Sequence, residues 1–339
     1  MNKLTNCLIN KDSSCNPIWF MRQAGRYLPE FQKIRSQNKN FIKLCLDSNL
    51  SSEITLQPIK RFDLDAAIIF SDILMAPFAL GQEVKFIKDR GPLLSDYSAD
   101  IFARDNKKFS DTLKPVYKAI EKTRKKLDKN KSLIGFVGSP WTLIVYMLGI
   151  KKEKNIIDKN ILNNQKHNIK FILKNINKYL SEHIKNQIDA GADIIQIFDS
   201  WAGLIPEPLL TEYCYEPNLE LVNFCKQHKA PVICFPKGLK ENYLNFNNFV
   251  KPDGISIDFD IDPNWSKKYL KGVCIQGGMD PRVLFMEDDK IFDEARKYLT
   301  AFKDQPYIFN LGHGLMPGTD PNKVEKLIKF VKDYNQNEQ

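Results

Sequence analysis

The segment Pro17–Glu30, PIWFMRQAGRYLPE, combines a strand-length apolar run, Ile18–Met21, with two arginines that follow it directly. Arg22 and Arg26 lie four residues apart, and each guanidinium group carries a permanent charge that suits a carboxylate or a phosphate. Ala24-Gly25 between them add little side-chain bulk, so backbone N–H groups can also approach a ligand. The segment predicts an anion-binding site at the end of a strand. Taken alone, it also fits a solvated arginine pair or internal ion pairs.

Apolar runs of the same kind recur along the whole chain. Each is strand length, rich in Ile, Val and Phe, and predominantly apolar, which is typical of parallel strands that helices cover from outside. There are eight such runs: Ile18–Met21, Ala66–Phe70, Leu133–Val137, Ile194–Phe198, Pro231–Phe235, Gly254–Ile257, Gly272–Ile275 and Tyr307–Leu311.

Helical patterns separate these runs, and the clearest is an apolar stripe from Ile169 to Ile188 that ends before Gly191. Strands that alternate with helices predict an α/β fold, a (β/α)8 TIM barrel that forms a single domain over residues 1–339. An open doubly wound sheet is the alternative, but no strand is followed by a GxGxxG or a P-loop. Further helices are predicted at Lys114–Leu127, at Asp262–Leu270 and from Asp320-Pro321 onward. Two long inserts are expected at Ile73–Ser132 and Lys151–Asn168.

The composition is that of an ordinary globular protein, with 43% apolar and 27% charged residues. The net charge is +9, but the lysines are dispersed and form no basic stripe with interleaved aromatics, so no nucleic-acid partner is expected. No apolar run approaches about 18 residues and the N-terminus lacks a signal-peptide core, so we expect no membrane association and a cytoplasmic location. The seven cysteines are scattered without a CxxC pair, which favours reduced thiols and no metal site.

Catalytic side chains of such barrels gather at the C-terminal ends of the strands. Asp72 follows one apolar run and precedes another, and a carboxylate in such surroundings needs a positive or donor partner, so we interpret it as functional. His313 lies between two glycines, which suggests close approach of the backbone to a ligand. Asp258 and Asp280 precede Asp-Pro-type helix starts and are interpreted as caps. The remaining histidines are expected on the surface: His167, His183 and His228.

Several longer segments resemble the uroporphyrinogen decarboxylases of haem biosynthesis. They are PIWFMRQAGRYLPEF, TLQPIKRFDLDAAIIFSDIL, GFVGSPWTL, FDSWAG and NLGHGLMPGTDP, in that order within residues 17–321. The resemblance implies a single-domain (β/α)8 barrel that forms homodimers and uses no metal or organic cofactor. It also implies that the substrate is uroporphyrinogen III, which loses four acetate carboxyl groups as CO2 to give coproporphyrinogen III.

The same resemblance implies a set of site residues. It assigns catalysis to Asp72 and Arg22. Substrate contact is assigned by motif position to Arg22, Gln23, Ala24, Gly25, Arg26, Phe41, Asp72, Tyr146, Ser200 and His313, and Arg35 falls at a further pocket position.

The residue types fit this substrate, which is a flexible ring with eight carboxylates and four inward pyrrole N–H donors. Arg22 and Arg26 suit the carboxylates, and Asp72 suits the N–H centre, where it would also stabilise a ring cation formed by protonation. The proton donor stays open at this point. Arg22 is the family's candidate, although a guanidinium is a poor acid near neutral pH, and His313 or a bound water is chemically easier.

Two other functions fit parts of the pattern. Zinc-dependent corrinoid or thiol methyltransferases resemble this family, but they carry a His-x-Cys pair after a strand, whereas this chain reads Cys234-Phe235-Pro236 there. A non-catalytic tetrapyrrole carrier is the second alternative. The chain keeps the full set of polar residues that the resemblance assigns, which argues against loss of catalysis.

Overall fold

The computed structural model describes residues 1–87, 91–150, 157 and 159–337. Its strands are β1 (Ala66–Ile68), β2 (Val84–Ile87), β3 (Gly91–Leu94), β4 (Ser132–Gly138), β5 (Ile194–Asp199), β6 (Val232–Pro236), β7 (Gly254–Ile257), β8 (Cys274–Gly277) and β9 (Tyr307–Ile308). Seven of them form one curled parallel sheet in the order β1-β4-β5-β6-β7-β8-β9, and β2 and β3 form an antiparallel hairpin. The sheet order follows the chain order, as in a barrel in which each strand is followed by a crossover to its neighbour.

Helices fill the crossovers and cover the outer face of the sheet. They are α1 (Lys3–Ile9), α2 (Pro29–Gln37), α3 (Phe41–Cys45), α4 (Ser48–Arg61), α5 (Met75–Leu80), α6 (Asn106–Lys126), α7 (Pro140–Met147), α8 (Lys159–Asn164), α9 (Lys166–Asp189), α10 (Glu216–Gln227), α11 (Tyr243–Val250), α12 (Pro263–Tyr269), α13 (Asp288–Ala301) and α14 (Pro321–Asn337).

Residues 17–19 occupy the place between the two edge strands of the sheet. Ile18 pairs with Phe309 in a single parallel bridge, and the N–H of Phe309 donates to the carbonyl of Pro17 at 2.8 Å. On the other side, the N–H of Asp65 donates to the carbonyl of Ile18 at 2.9 Å, directly before β1. The predicted α/β barrel is therefore confirmed, with seven regular strands and one irregular segment.

The prediction of a regular first strand at Ile18–Met21 is wrong. The N–H of Phe20 donates to the side-chain Oε1 of Gln23 at 3.1 Å, and the N–H of Gln23 donates back to the carbonyl of Phe20. These contacts draw the backbone into a turn, so that only one bridge forms before the chain leaves the sheet. The other seven predicted runs each overlap a strand of the sheet.

The interior of the barrel contains a chain of polar side chains that bond to one another. The indole N–H of Trp19 donates to Oε1 of Gln276 at 2.9 Å, and Nε2 of Gln276 donates to Ser256 at 2.6 Å and to Gln196 at 3.1 Å. These buried groups come from four positions around the barrel. Their mutual bonds allow polar residues within runs that are otherwise apolar, because a buried polar group is stable only when it is paired.

The predicted helices are present, with different ends. The stripe from Ile169 to Ile188 lies on α9, and the last helix begins at Pro321 as predicted. The helix predicted at Lys114–Leu127 begins earlier, at Asn106, because Pro115 is accommodated inside α6. The structure also contains the β2–β3 hairpin, which was not predicted within the insert Ile73–Ser132.

The second insert, 151–168, falls partly outside the described residues, which exclude 151–156 and 158. One histidine prediction is wrong, because His183 is buried on α9 with its Nδ1 3.1 Å from the hydroxyl of Tyr117. All seven cysteines are free thiols, as predicted, and six of them are buried. No helix among the described residues combines the length and the apolar character needed to cross a bilayer.

Candidate active site

The predicted site residues lie at the C-terminal ends of the barrel strands. Arg22 follows the closing segment, Asp72 follows β1, Tyr146 lies on α7 after β4, Ser200 follows β5, and His313 lies beyond β9. Charge on Arg22 shifts the pKa of Asp72, of Tyr146 and of His313, which places all four in one region. Ser200 is half-buried at the same rim. The structure therefore brings the polar residues of the predicted site to one mouth of the barrel.

Arg22 is held in a left-handed backbone conformation, with a φ of 61°. Such a conformation strains a residue with a side chain by about 1 kcal/mol or more, and it persists where surrounding contacts enforce it. The N–H of Met21 donates to Oδ1 of Asn310 at 3.2 Å, and its carbonyl accepts the N–H of Leu315 at 2.9 Å. Gly314 packs on the side chain of Arg22 so closely that a Cβ there would lie 2.5 Å from Cδ. The loop after β9 thus positions both the backbone and the side chain of Arg22.

The turn between the two arginines is built around Gln23. Its side chain is fully buried, accepts the N–H of Phe20 and donates to the carbonyl of Ala66 at 3.0 Å. Gly25 lies where a Cβ would approach the carbonyl oxygen of Arg22 to 2.9 Å. The amide of Gln23 is thus directed into the protein, where it supports the turn. Substrate contact by this turn stays a prediction for Gln23, Ala24, Gly25 and Arg26.

Asp72 begins the turn that leads into α5. Its Oδ1 accepts the N–H of Leu74 at 2.8 Å, and its carbonyl accepts the N–H of Met75 at 3.1 Å. Within the described residues, its Oδ2 has no hydrogen-bond donor. Burial raises the pKa of Asp72 to about 6, while the bond from Leu74 and the charge of Arg22 act in the opposite direction. The side chain nevertheless keeps some exposure to solvent, so a ligand can reach it from the barrel mouth.

The two basic groups of this region, Arg22 and His313, both have a pKa below the ordinary value. Burial lowers the pKa of Arg22, and the neighbouring charge of Arg26 lowers it further. Burial, together with the charges on Arg22 and Lys237, lowers the pKa of His313 to about 3. His313 is therefore neutral near pH 7. Its Nδ1 is buried and has no hydrogen-bond partner among the described residues.

Tyr146 and Ser200 lie on the same side of the mouth, near Trp201. The rings of Tyr146 and Trp201 are 6.2 Å apart at a steep angle. Burial raises the pKa of the Tyr146 hydroxyl, and hydrogen bonding with Trp201 lowers it. Asp199 precedes Ser200 and accepts the hydroxyl of Thr142 at 2.7 Å, which fixes the end of β5.

Phe41 forms an apolar wall at the beginning of α3. Its ring centroid lies 5.8 Å from that of Phe70 and 4.6 Å from that of Phe86. The guanidinium carbon of Arg35 lies 5.9 Å from the centre of the Phe41 ring. Because Phe70 precedes Asp72 by two residues, this wall adjoins the carboxylate side of the cleft.

The other acidic residues at the strand ends have structural partners. Asp258 is buried and accepts the N–H of Gly238 at 2.6 Å and the hydroxyl of Tyr243 at 2.9 Å. Asp280 accepts the N–H of Arg282 at 2.8 Å and binds its guanidinium group. The interpretation as a helix cap is confirmed for Asp280 and is wrong for Asp258, because Asp262 caps the helix that follows and Asp258 instead fixes the loop after β6. Across the described part of the chain, no group of three or more His, Cys, Asp and Glu side chains is placed to hold a metal ion.

Sequence reasoning missed two residues of this mouth. Lys237 follows β6 directly and acts electrostatically on His313. Its signal was available, because a charged residue immediately after an apolar strand is the same pattern that singled out Asp72. Asn310 follows β9, and its Oδ1 accepts the N–H groups of both Met21 and Leu311. No sequence signal separates Asn310 from an ordinary loop asparagine.

Comparison with known proteins places these features in a family. The family model for uroporphyrinogen decarboxylase matches residues 1–334. A uroporphyrinogen decarboxylase of Orientia tsutsugamushi is 42% identical over the full length of both chains. A uroporphyrinogen decarboxylase of Rickettsia bellii is 43% identical and covers 94% of this chain and 95% of its own.

Solved structures give a broader likeness. A methyltransferase from Methanosarcina mazei covers 97% of both chains with a TM-score of 0.75, at 15% sequence identity. That likeness extends to the fold alone. The family match over residues 1–334 and the identity above 40% place the chain in the uroporphyrinogen decarboxylase family.

Proposed function

We infer that this chain is a uroporphyrinogen decarboxylase, which removes the four acetate carboxyl groups of uroporphyrinogen as CO2 and leaves methyl groups in coproporphyrinogen. The observation that carries this inference is Asp72, a carboxylate in a protein-lined cleft with one oxygen open, within the electrostatic range of Arg22. Full-length identity to proteins of that name supports the same conclusion.

The cleft offers complementary groups for such a substrate. We propose that Arg22 and Arg26 bind carboxylates at the edge of the tetrapyrrole ring, since neither guanidinium makes an ion pair among the described residues. Oδ2 of Asp72 would accept pyrrole N–H donors at the ring centre, while Oδ1 keeps its bond from Leu74. Tyr146, Ser200, Phe41 and His313 complete the proposed contact set around this centre.

Decarboxylation of a pyrrole acetate needs an electron sink. Protonation of a ring carbon makes the pyrrole cationic, the C–C bond to the carboxylate then breaks, and its electron pair neutralises the ring as CO2 leaves. A second proton on the exocyclic carbon, with loss of the ring proton, gives the methyl group. A fixed carboxylate about 4 Å from the cation, at an effective dielectric constant of about 20, stabilises it by about 4 kcal/mol, or about a thousandfold in rate. We assign this role to Asp72.

We propose Arg22 as the group that delivers the ring proton. His313 is neutral near pH 7, since its pKa is lowered to about 3, and it lacks the imidazolium proton that a strong general acid needs. Partial desolvation and the neighbouring charge of Arg26 lower the pKa of Arg22, which makes its guanidinium a better acid than an ordinary arginine. His313 then serves as a neutral hydrogen-bonding partner for the substrate.

We further propose that the chain acts as a single-domain homodimer in the cytoplasm and needs no metal or organic cofactor. The seven-stranded sheet includes strands from residue 66 to residue 308, which supports the one-domain organisation. The family resemblance supports the other three statements. Sedimentation of the purified protein tests the homodimer. Activity after treatment with a chelator tests the independence from a metal.

A product assay tests the function against its alternatives. Anaerobic incubation with uroporphyrinogen, followed by chromatography of the oxidised products, is expected to yield coproporphyrin through intermediates with seven, six and five carboxylates. A carrier protein would bind the substrate and release it unchanged. A requirement for stoichiometric zinc would contradict the proposal and favour the methyltransferase alternative, which otherwise rests on a likeness of fold.

A further inference from the structure

We propose that Lys237 is an additional carboxylate-binding residue, which holds an acidic side chain of the substrate on the wall of the barrel mouth opposite Arg22. The inference rests on the proposed function, because it names a further contact for the same polycarboxylate. Neither the sequence motifs nor the family comparison assigns a role to Lys237.

The first support is the missing counter-charge of this lysine. Lys237 is half-buried, and it has no hydrogen-bond acceptor and no ion-pair partner for its ammonium group among the described residues. Every other half-buried lysine or arginine whose side chain is described has a hydrogen-bond acceptor or an ion-pair partner: Lys11, Arg35, Arg104, Lys122, Arg124, Lys131, Lys267, Lys323 and Lys332. A partly desolvated cation without an acceptor is unfavourable unless a ligand supplies one.

The second support is the place of Lys237 in the barrel. It directly follows β6, whereas Arg22 follows the segment 17–19 that lies between β9 and β1. Three strands separate β6 from that segment in either direction around the sheet. Lys237 and Arg22 therefore stand on opposite walls of the mouth. A ring that carries carboxylates around its whole edge presents an anion to both walls at once.

The third support is the rigid backbone that carries the side chain. The N–H of Lys237 donates to the carbonyl of Asp199 at 3.0 Å, and its carbonyl accepts the N–H of Gly203 at 2.9 Å. Gly203 and Gly238 then pack backbone to backbone, since a Cβ on Gly203 would lie 2.5 Å from the carbonyl oxygen of Gly238. The loops after β5 and β6 thus form one unit, and the lysine stem leaves it from a fixed point.

The fourth support is the electrostatic effect of Lys237 on a second residue of the mouth, His313. His313 and Lys237 are close enough for the lysine charge to act on the imidazole. A neutral imidazole can donate one N–H bond to a carboxylate oxygen, and an ammonium group can donate to the other. The pair is therefore suited to hold a single carboxylate between them, in addition to the carboxylates that Arg22 and Arg26 bind.

The test compares the wild-type protein with three variants. Lys237→Gln removes the charge and keeps most of the stem, and Lys237→Arg restores a cation. Lys271→Gln is the matched control, because Lys271 is exposed and precedes β8 at the opposite end of the barrel. KM and kcat for uroporphyrinogen are measured at low salt, and binding of oxidised uroporphyrin is followed by quenching of tryptophan fluorescence.

We expect Lys237→Gln to raise KM about tenfold and to weaken uroporphyrin binding by a similar factor, with kcat changed less than about threefold. Lys237→Arg should recover most of the loss, and Lys271→Gln should match the wild type. Folding is checked by the thermal midpoint, which should be unchanged because the lysine has no protein partner. An unchanged KM and unchanged uroporphyrin binding in Lys237→Gln would overturn the inference while leaving the decarboxylase intact. A wild-type protein that forms no coproporphyrinogen would overturn the proposed function, and the inference would fail with it.

Discussion

Gly314 and Arg22 are in direct packing contact, although they are far apart in the chain. A Cβ built on Gly314 would lie 2.5 Å from Cδ and 2.6 Å from Cγ of Arg22. The backbone of Gly314 is not left-handed, so other residues could adopt its conformation. The absence of a side chain at this position therefore serves the placement of the arginine.

Gly314→Ala is expected to displace the Arg22 side chain and to lower kcat/KM by at least about tenfold, because a misplaced catalytic group loses much of its effect. The measurement is steady-state decarboxylation together with the free energy of unfolding in urea. In an Arg22→Ala background the same change should cost much less stability, since Cγ and Cδ are gone and only the Cβ, at 3.1 Å, remains. Equal destabilisation in both backgrounds would mean that the contact with Arg22 is not the cause.

Asp72→Asn is expected to remove most activity and to stabilise the fold. A carboxyl group whose pKa rises to about 6 in the folded protein, from an ordinary value of 3.8, binds its proton more tightly when folded. Its ionised form therefore destabilises the protein above about pH 6, and this penalty disappears as the pH falls from about 6 to below 4. Asparagine keeps the acceptor for the N–H of Leu74 and carries no charge.

We expect Asp72→Asn to raise the free energy of unfolding by about 1–3 kcal/mol at pH 7.5, with a smaller gain near pH 4. Urea unfolding at both pH values measures this difference. Asp260→Asn, at an exposed aspartate, is the control and should change neither value. Near-normal turnover in Asp72→Asn would refute its role as stabiliser of the ring cation.

The pH dependence of kcat/KM should follow the ionisation of Asp72 on the acid side. Activity should fall tenfold per pH unit below about pH 6, because the protonated carboxyl group cannot stabilise a cation. His313 is neutral across this range, so His313→Asn should lower activity without moving the acid limb. An acid limb that disappears in His313→Asn would assign the ionisation to the histidine instead.

Arg22→Gly and Arg22→Ala should reverse the usual order of stability. Glycine normally destabilises relative to alanine, but the φ of 61° at this position favours glycine. We expect the glycine variant to be more stable than the alanine variant by about 0.5–1 kcal/mol in urea unfolding, with both inactive. The opposite order would indicate that the backbone relaxes when the side chain is removed.

Most of the barrel was predictable because seven of its strands are buried on both faces and appear in the sequence as apolar runs. The run Ile18–Met21 has the same composition but forms no regular strand. The side chain of Gln23 accepts the N–H of Phe20, and the chain leaves the sheet in a turn. The apolar pattern of the sequence does not reveal this side-chain hydrogen bond. The β2–β3 hairpin was missed for a related reason, since its strands are partly exposed and carry no continuous apolar run.

The position at the barrel mouth was predictable where a charged or histidine residue interrupts an apolar context, as at Asp72 and His313, while their roles stay predictions. Lys237 has the same position relative to its strand, but a lysine in a lysine-rich chain gives little contrast. Its significance became apparent only when its ammonium group proved to lack an acceptor among the described residues. The packing of Gly314 on Arg22 joins residues from opposite ends of the chain, and local patterns do not reveal such pairs.

The segment that closes the barrel also has a consequence for biosynthesis. Met21 donates its N–H to the side chain of Asn310, 289 residues further along the chain, and Ile18 finds its sheet partner in Phe309. A chain emerging from the ribosome can therefore assemble its inner strands while the N-terminal segment is held on one side only, by its bonds to Asp65 and Ala66. The contacts of Asn310, Gly314 and Leu315 that position Arg22 become available only after almost the entire polypeptide has been made, so the barrel mouth around Arg22 can be completed only then.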